Sequence, residues 1–561
     1  MQSSAAPDAQ EGPVHETQET PARNPSLYWL FPLIFIFCFR LGLVIAPRIE
    51  LYLSLVCAEV GLETHDHVPS SACRASPAAQ RKLSSLMLYM LLGIGVFSAL
   101  SSGFWSSFSD RYGRVRVMAI TVFGILVMDA FILFAAHAPP GIISPTAFLA
   151  VGGVLEGISG GYAVFSSMTQ CYLSDVTPSG SRARLFSFAA GALFAGISVG
   201  PLVGGIITGA TDNALVTLWF GSAVQALVFI FTLCIPESLS ASHMQSARRE
   251  YKDRVRESPS LARYVHSALA APARTLQVLL PCRTSDYERV APDDEHHDDE
   301  RDNEHDEPFS VSHVPGKSHL DANLFLLSCA YFFETACQAI VPFSLQYTQM
   351  MFNWDSEAMS YYMTFTSVLR VIALAGVIPW AIRIIHRPGS TASEPMDAPP
   401  AQPVGTSTRA YIDNLWEQRA RQLRLIRDSH FDRKLAIFSA VLSCLANVML
   451  GLAHTPGIFL AVMVLVALGS GSASALNSLS LALIPRPKDA GRLFGAWAVL
   501  GTVASSLFGP PIYTWVFRAT VTYSPSAIFH LAGAMQGVAA VFLLLIRLRH
   551  ESTLAVPDDS T

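Results

Sequence analysis

The sequence predicts an all-α polytopic membrane protein of twelve transmembrane helices in two six-helix lobes. Three observations carry this reading. Of 561 residues, 51% are hydrophobic and 14% charged, where soluble domains average about 25% charged. Twelve apolar runs approach or exceed the roughly 20 residues that cross a bilayer. The runs divide six and six around a long polar stretch, 236–321. Glycine and proline are plentiful, 36 and 34, as expected where helices pack closely or break inside a membrane.

Taken in order, residues 1–26 are a polar tail with more acid than base. No basic segment leads into a short apolar stretch, so the first run reads as an uncleaved anchor rather than a signal peptide. The runs cover 27–48, 84–105, 117–138, 146–171, 184–209 and 214–235 in the first lobe (27–235). In the second lobe (322–546) they cover 322–346, 358–385, 434–453, 457–484, 493–517 and 524–546. A cytoplasmic insert, 386–433, is Pro-rich and then helical (LWEQRARQLRLIR), and residues 547–561 form a second tail. Arg111, Arg114, Arg116, Arg182, Arg184, Arg486, Lys488 and Arg492 crowd the even-numbered short connections. Connections 139–145, 210–213, 347–357 and 454–456 hold no Lys or Arg. The positive-inside rule therefore places both termini in the cytoplasm. Nothing in the chain chooses between plasma and vacuolar membrane.

The linker 236–321 reads as a cytoplasmic, disordered tether. It opens basic and ends in DDEHHDDERDNEHDE at 293–307, ten acids in fifteen residues. That block accounts for much of the net charge of −5, so the total says little about partners. Metal binding by His296, His297 and His305 is the sharper alternative. The nine cysteines make no C-x-x-C pair. Cys57 and Cys73 share the first outer loop and are a candidate disulfide.

Two motifs stand out. SSFSDRYGRVR at 106–116 holds Asp110, Arg111, Gly113 and Arg114 in a short inner loop, where charge-assisted hydrogen bonds between helix ends can make a gate. GISVGPLVGG at 196–205 sets Gly196, Gly200, Pro201, Gly204 and Gly205 at spacings that let helices approach closely. Spans four to five (YLSDVTPSGSRARLFSF) and ten to eleven (LALIPRPKDAGRLFGAW) also share an acid, an Arg and Leu-Phe in order, the trace of an internal repeat. With these motifs the chain resembles the major facilitator superfamily outside its polar inserts. The first is similar to that family's loop between spans two and three, although Ser106 replaces its leading glycine and Val115 its last arginine. The second is similar to the fifth-span motif of its proton-coupled antiporters. The pattern resembles fungal facilitators of the tetracycline-exporter type, and also the proton-coupled folate transporter group, whose members are symporters. The resemblance implies that spans one, four, seven and ten line a central cavity.

Five ionisable residues lie deep in spans: Arg40, Asp129, Glu156, Glu334 and Arg370. Such residues usually face the bundle interior and pair. At 1.5 Å per residue, Arg40 and Glu156 both lie roughly 4 Å to the outer side of centre, so they are expected to pair. Glu334 and Arg370 share the middle of spans seven and eight. Tyr331 and Gln338 flank Glu334 at i−3 and i+4, Tyr362 and Thr366 continue the face of Arg370, and Ser470, Ser474 and Asn477 stripe span ten. With Tyr162 these are the cavity candidates. Glu156 and Glu334 are the candidate proton carriers, while Asp129 reads as a structural residue on a supporting helix. Antiporters of the resembled family often place an acid on span one and an Arg on span four. Here the signs are exchanged, which permits an anionic substrate at Arg40 or Arg370.

The expected function is proton-coupled secondary transport of a small organic solute by alternating access, with efflux by antiport favoured by GISVGPLVGG. Uptake by symport, including of an organic anion, is the alternative. A non-transporting sensor on the same scaffold is a third reading. No nucleophile arrangement, metal set or nucleotide loop indicates an enzyme. The expected partners are a small-molecule substrate and the bilayer, without nucleic acid. The chain is expected to be monomeric and to need no cofactor beyond a proton gradient.

Overall fold

The computed structural model describes residues 27–62, 69–138, 144–176, 182–257, 279, 282–283, 320–377, 380, 406–483 and 490–548. The first lobe contains α1 (Leu27–Val60), short α2 (Ser71–Ala75), α3 (Pro77–Tyr112), α4 (Arg114–His137), α5 (Pro145–Ile158), α6 (Gly161–Val176), α7 (Arg182–Thr211) and α8 (Ala214–Cys234). After α9 (Ala241–Glu257), the second contains α10 (Asn323–Gln338), α11 (Val341–Met351), α12 (Ser356–Ile372), α13 (Thr406–Gly451), α14 (Pro456–Leu468), α15 (Ser472–Leu483), α16 (Ala490–Thr502), α17 (Gly509–Thr520) and α18 (Ala527–Leu545). Cys282–Arg283 and Leu320–Asp321 form a two-residue antiparallel ladder. Below, the end of the bundle that carries the 111–116 loop is called inner, and the opposite end outer.

Eleven described segments are long and apolar enough to cross a membrane. The expected span at 493–517 is also present, as α16 and α17 joined by a π-helical stretch, Val503–Phe508. Helix starts at the outer end use local chemistry. Ser76 and Thr455 cap α3 and α14 just ahead of Pro77 and Pro456, where the missing N–H would have been unsatisfied anyway. Asn213 and Asp355 cap α8 and α12. Within the spans, Ser84, Thr169, Ser198, Thr232 and Thr335 donate to the carbonyl four residues back. Each hydroxyl is thereby satisfied without water.

Three features depart from the simple picture of twelve apolar rods. Span one continues twelve residues past the expected end, to Val60, because Arg48 and Glu50 find partners inside the protein instead of ending the helix. Spans four, seven and ten are each broken: at Ser159–Gly160, at Ala339–Ile340 and in a 3-10 turn at Gly469–Gly471. Gly160 and Gly161 take φ of +97° and +52° there, a region costly for a residue with a Cβ. The linker opens as helix α9, docked beside α3, and the predicted insert helix runs unbroken into span nine as α13. The acidic block with His296, His297 and His305, and both tails, lie outside the described residues apart from the first residues beyond span twelve.

The buried core has three parts. The outer one is shared by both lobes, uniting Leu43, Leu55, Leu83 and Met128 with Phe343, Tyr347, Phe459 and Tyr513. The inner halves pack separately, one around Phe37, Met118 and Tyr172, the other around Leu327, Leu476, Trp497 and Leu543.

Candidate functional site

The second lobe holds a cavity of about 330 Å³ against the first. Its polar wall comes from α10 (Glu334, Gln338), α12 (Tyr362, Thr366, Arg370), α13 (Ser443, Asn447), the 3-10 turn (Ser470) and α18 (Gln536). The first lobe contributes only Leu41, Gly42, Ile45 and Ile197. Glu334, 6% exposed, accepts from Ser472 Oγ at 2.7 Å and from Gln536. Arg370 is half-buried and its guanidinium makes no hydrogen bond or ion pair among the described residues.

Four other expected cavity residues do not line it. Tyr331 stacks on Trp497 with centroids 4.2 Å apart, and Tyr162 lies against Phe37 at 6.1 Å. Ser474 returns its hydroxyl to Gly471 O at 2.9 Å, and Asn477 is exposed. The stripe Ser470, Ser474, Asn477 assumed one continuous helix. The 3-10 turn advances 120° per residue rather than 100°, so the face that starts at Ser470 is not the face that α15 continues. Gln536 and Asn447 join the cavity from α18 and from the apolar final stretch of α13, where no charged residue nearby in sequence drew attention to them.

The first lobe buries a separate charge cluster. Arg40 is fully buried and binds both carboxylate oxygens of Asp129 on α4 through Nη2. Arg48, two turns along α1, binds Asp129 as well. The expected pair of Arg40 with Glu156 is therefore corrected. Depth alone did not discriminate, because Asp129 sits within about one turn of the same level. Glu156 is half-buried on α5, within electrostatic reach of Arg48, Arg40 and Asp129. Its carboxylate has no hydrogen bond or ion pair among the described residues. Nε and Nη1 of Arg40 and Nε of Arg48 are buried and unpartnered. None of these four residues lines the cavity.

At the inner corner between α3 and α4, Arg114 bridges Asp110 at 2.6 Å, Ser109 Oγ at 2.6 Å and Asp175, at the end of α6, at 3.5 Å. Arg111 donates to Ser107 O and its guanidinium lies 3.8 Å from the Tyr251 ring of α9. Gly113 has φ +106°. A Cβ there would fall 2.2 Å from Glu237 Oε2, because that carboxylate caps α4 through the N–H groups of Arg114 (2.8 Å) and Val115 (3.1 Å). Glu237 lies just past an apolar run and carried no motif, whereas Asp175 is the acid of the repeat trace between spans four and five. The partners named for this corner lie in the first lobe, on α9 or, for Glu237, in the connection between α8 and α9.

The sequence matches the family described as Major Facilitator Superfamily over residues 74–393, more than half of the chain. The chain belongs to the major facilitator superfamily. It is 22% identical to the MFS-type transporter avaJ of Aspergillus versicolor over 539 residues, covering 93% of this chain and 89% of that one. It is 23% identical to the MFS efflux pump atnC of Emericella nidulans over 208 residues, 36% of this chain and 39% of that one. The fold is similar to the human organic anion transporter MFSD10, with a TM-score of 0.53, 14% identity, and coverage of 93% and 100%. It is also similar to a D-xylose–proton symporter, with a TM-score of 0.51, 12% identity, and coverage of 93% and 98%.

Two further features hold this facilitator together, one mainly within the first lobe and one between the lobes. The fifth-span glycines form a close seam between α7 and α1. A Cβ at Gly196, Gly200 or Gly204 would meet the α1 carbonyls of Phe35, Phe39 and Leu43 at 2.5, 2.1 and 2.6 Å. Pro201 lies against Gly42, and Gly205 faces Ser360 and Tyr361 of the other lobe. At the outer end, Cys57 and Cys73 form a disulfide with Cα atoms 6.1 Å apart. The next residue, Arg74, binds Glu50 at 2.9 Å, and the other oxygen of Glu50 accepts Ser356 N–H, at the start of α12, at 2.8 Å. Gln346 reaches across to Gln80 and Ser84 at 2.7 to 2.9 Å, and Arg81 to Arg518 O at 3.2 Å.

Proposed function

We propose that this facilitator is a proton-coupled secondary transporter of a small organic solute, working by alternating access with both termini cytoplasmic. The observation that carries the reading is the separation of two buried ionisable sites. One cluster sits in the first lobe, where the Glu156 carboxylate has no hydrogen bond or ion pair among the described residues. One cavity sits in the second, with Glu334 and Arg370 in its wall. If Glu156 is ionised, the cluster of two arginines and two acids is neutral; if it is protonated, the cluster carries one positive charge. That difference gives the protonation state of Glu156 leverage over helix arrangement. The cavity then holds solute while the cluster senses the proton.

Efflux by antiport is the favoured direction. The fifth-span motif and the efflux pump among the relatives support it. Proton-coupled uptake is the second reading, favoured by the open guanidinium of Arg370 and the name of the organic anion transporter that shares the fold. Proteoliposomes with an imposed pH gradient and a panel of organic anions and cations test both. Antiport moves solute against the proton flow and symport with it. The absence of pH-dependent flux for every compound sinks the transporter reading. Flux that survives Glu156→Gln and Glu334→Gln together sinks both proton sites.

A further inference from the structure

The cavity's two charged groups point to the substrate's chemistry. Glu334 and Arg370 line the same space of about 330 Å³. They make no ion pair with each other within 4.0 Å. Glu334 accepts hydrogen bonds from Ser472 and Gln536, which orient its carboxyl group at the cavity wall. Arg370 has no protein partner among the described residues. The opposing wall is apolar, built from Leu41, Ile45 and Ile197 of the first lobe. The cavity is small, near the bottom of the range of about 300 to 1,000 Å³ usual for ligand sites.

Charge matching in such a cavity is decided by what is left unpaired. A buried charge without a partner costs more than a good pair contributes. An anionic solute satisfies Arg370 but sets its apolar frame against the Glu334 carboxylate. A cationic solute does the reverse, and a neutral one leaves Arg370 without an anionic partner and Glu334 with only its two hydrogen-bond donors. We propose that the cavity selects a small zwitterion, its anionic group on Arg370, its cationic group toward Glu334, and its apolar frame against Leu41, Ile45 and Ile197. This rests on the cavity being the substrate site of the transporter proposed above.

Equilibrium binding to the purified full-length protein in nanodiscs tests the selection with two matched triads. One is phenylalanine, 3-phenylpropanoate and phenethylamine. The other is 4-(aminomethyl)benzoate, 4-methylbenzoate and 4-methylbenzylamine, whose charges are set further apart. The expected result is that the zwitterion binds at least about tenfold tighter than both single-charge analogues in one triad or both. A single-charge member that binds as tightly in both triads overturns the proposal, as does the failure of all six to bind at millimolar concentration. Glu334→Gln should let the anion catch up with the zwitterion, and Arg370→Gln should let the cation catch up. A preference unchanged in both variants also overturns it. Binding needs no flux. Zwitterion selection without transport refutes the transporter reading alone, and pH-driven flux of other solutes without that selection refutes this one alone.

Discussion

Asp129 and Glu156 are two carboxylates near the same two guanidiniums, yet only Asp129 touches them. That asymmetry assigns them different consequences. Removing the charge of Asp129 leaves Arg40 and Arg48 with no carboxylate in contact and only Glu156 at longer range, and breaking one side of a buried pair costs roughly 3–5 kcal/mol. Asp129→Asn should therefore lower the melting temperature and the yield of monodisperse protein markedly. Glu156→Gln breaks no ion pair, so it should melt close to the parent while flattening the pH dependence of flux. A Glu156→Gln protein that melts as low as Asp129→Asn would make Glu156 a strut. The sequence made it clear that Arg40 needed a partner inside the bundle. It did not say which, since rise per residue gives depth but not azimuth. It also hid Arg48, which read as the end of span one until Glu50, Arg74 and Asp129 were seen to carry the helix onward.

The elements themselves were legible wherever an apolar run was unbroken, because about 20 such residues have one stable form in a bilayer. What the runs could not disclose was phase. The turn at Gly469–Gly471 moved Ser474 and Asn477 off the cavity wall, while Gln338, Tyr362, Thr366 and Ser470 kept their places on it. Close packing was legible from glycine spacing, and α7 offers an internal control for its energetics. A Cβ at Gly200 would sit 2.1 Å from Phe39 O, on α1, whereas one at Gly191 would meet nothing within 4 Å. Gly200→Ala should force α1 and α7 apart and reduce both folded yield and melting temperature. Gly191→Ala should be neutral or stabilising by up to about 1 kcal/mol, the helix preference of alanine over glycine. Equal melting of the two variants would show that the seam is looser than its geometry.

At the scale of the whole molecule, the arrangement of cores describes a state. One apolar core spans both lobes at the outer end, and two separate cores serve the inner halves. The polar contacts between lobes follow the same division. Glu50 with Ser356, Arg74 with Asn353, Gln346 with Gln80 and Ser84, and Arg81 with Arg518 all cluster at the outer end. The two lobes are closed against each other at the outer end of the bundle. The alternating access proposed above requires that closure to be reversible, so its polar part must be weak enough to break yet strong enough to bias the equilibrium. Glu50 is the centre of that balance: it is 3% exposed, with one oxygen on Arg74 and the other on the N-terminus of α12. The disulfide one residue before Arg74 fixes the segment that presents it. Glu50→Ala leaves the Arg74 guanidinium with only its long contact to Asn353 and the Ser356 N–H unpaired in the closed state, but both can hydrate when the outer end opens. The variant should therefore shift the population toward outer-open rather than simply unfold. Spin labels at positions 81 and 518 read that shift directly. The parent should give one short distance, and Glu50→Ala a second, longer one whose share grows. Cys57→Ser combined with Cys73→Ser should move the distribution the same way by a smaller amount, since Arg74 is freed but Glu50 still caps α12. An unchanged short distance in Glu50→Ala would place the closure in the shared apolar core alone.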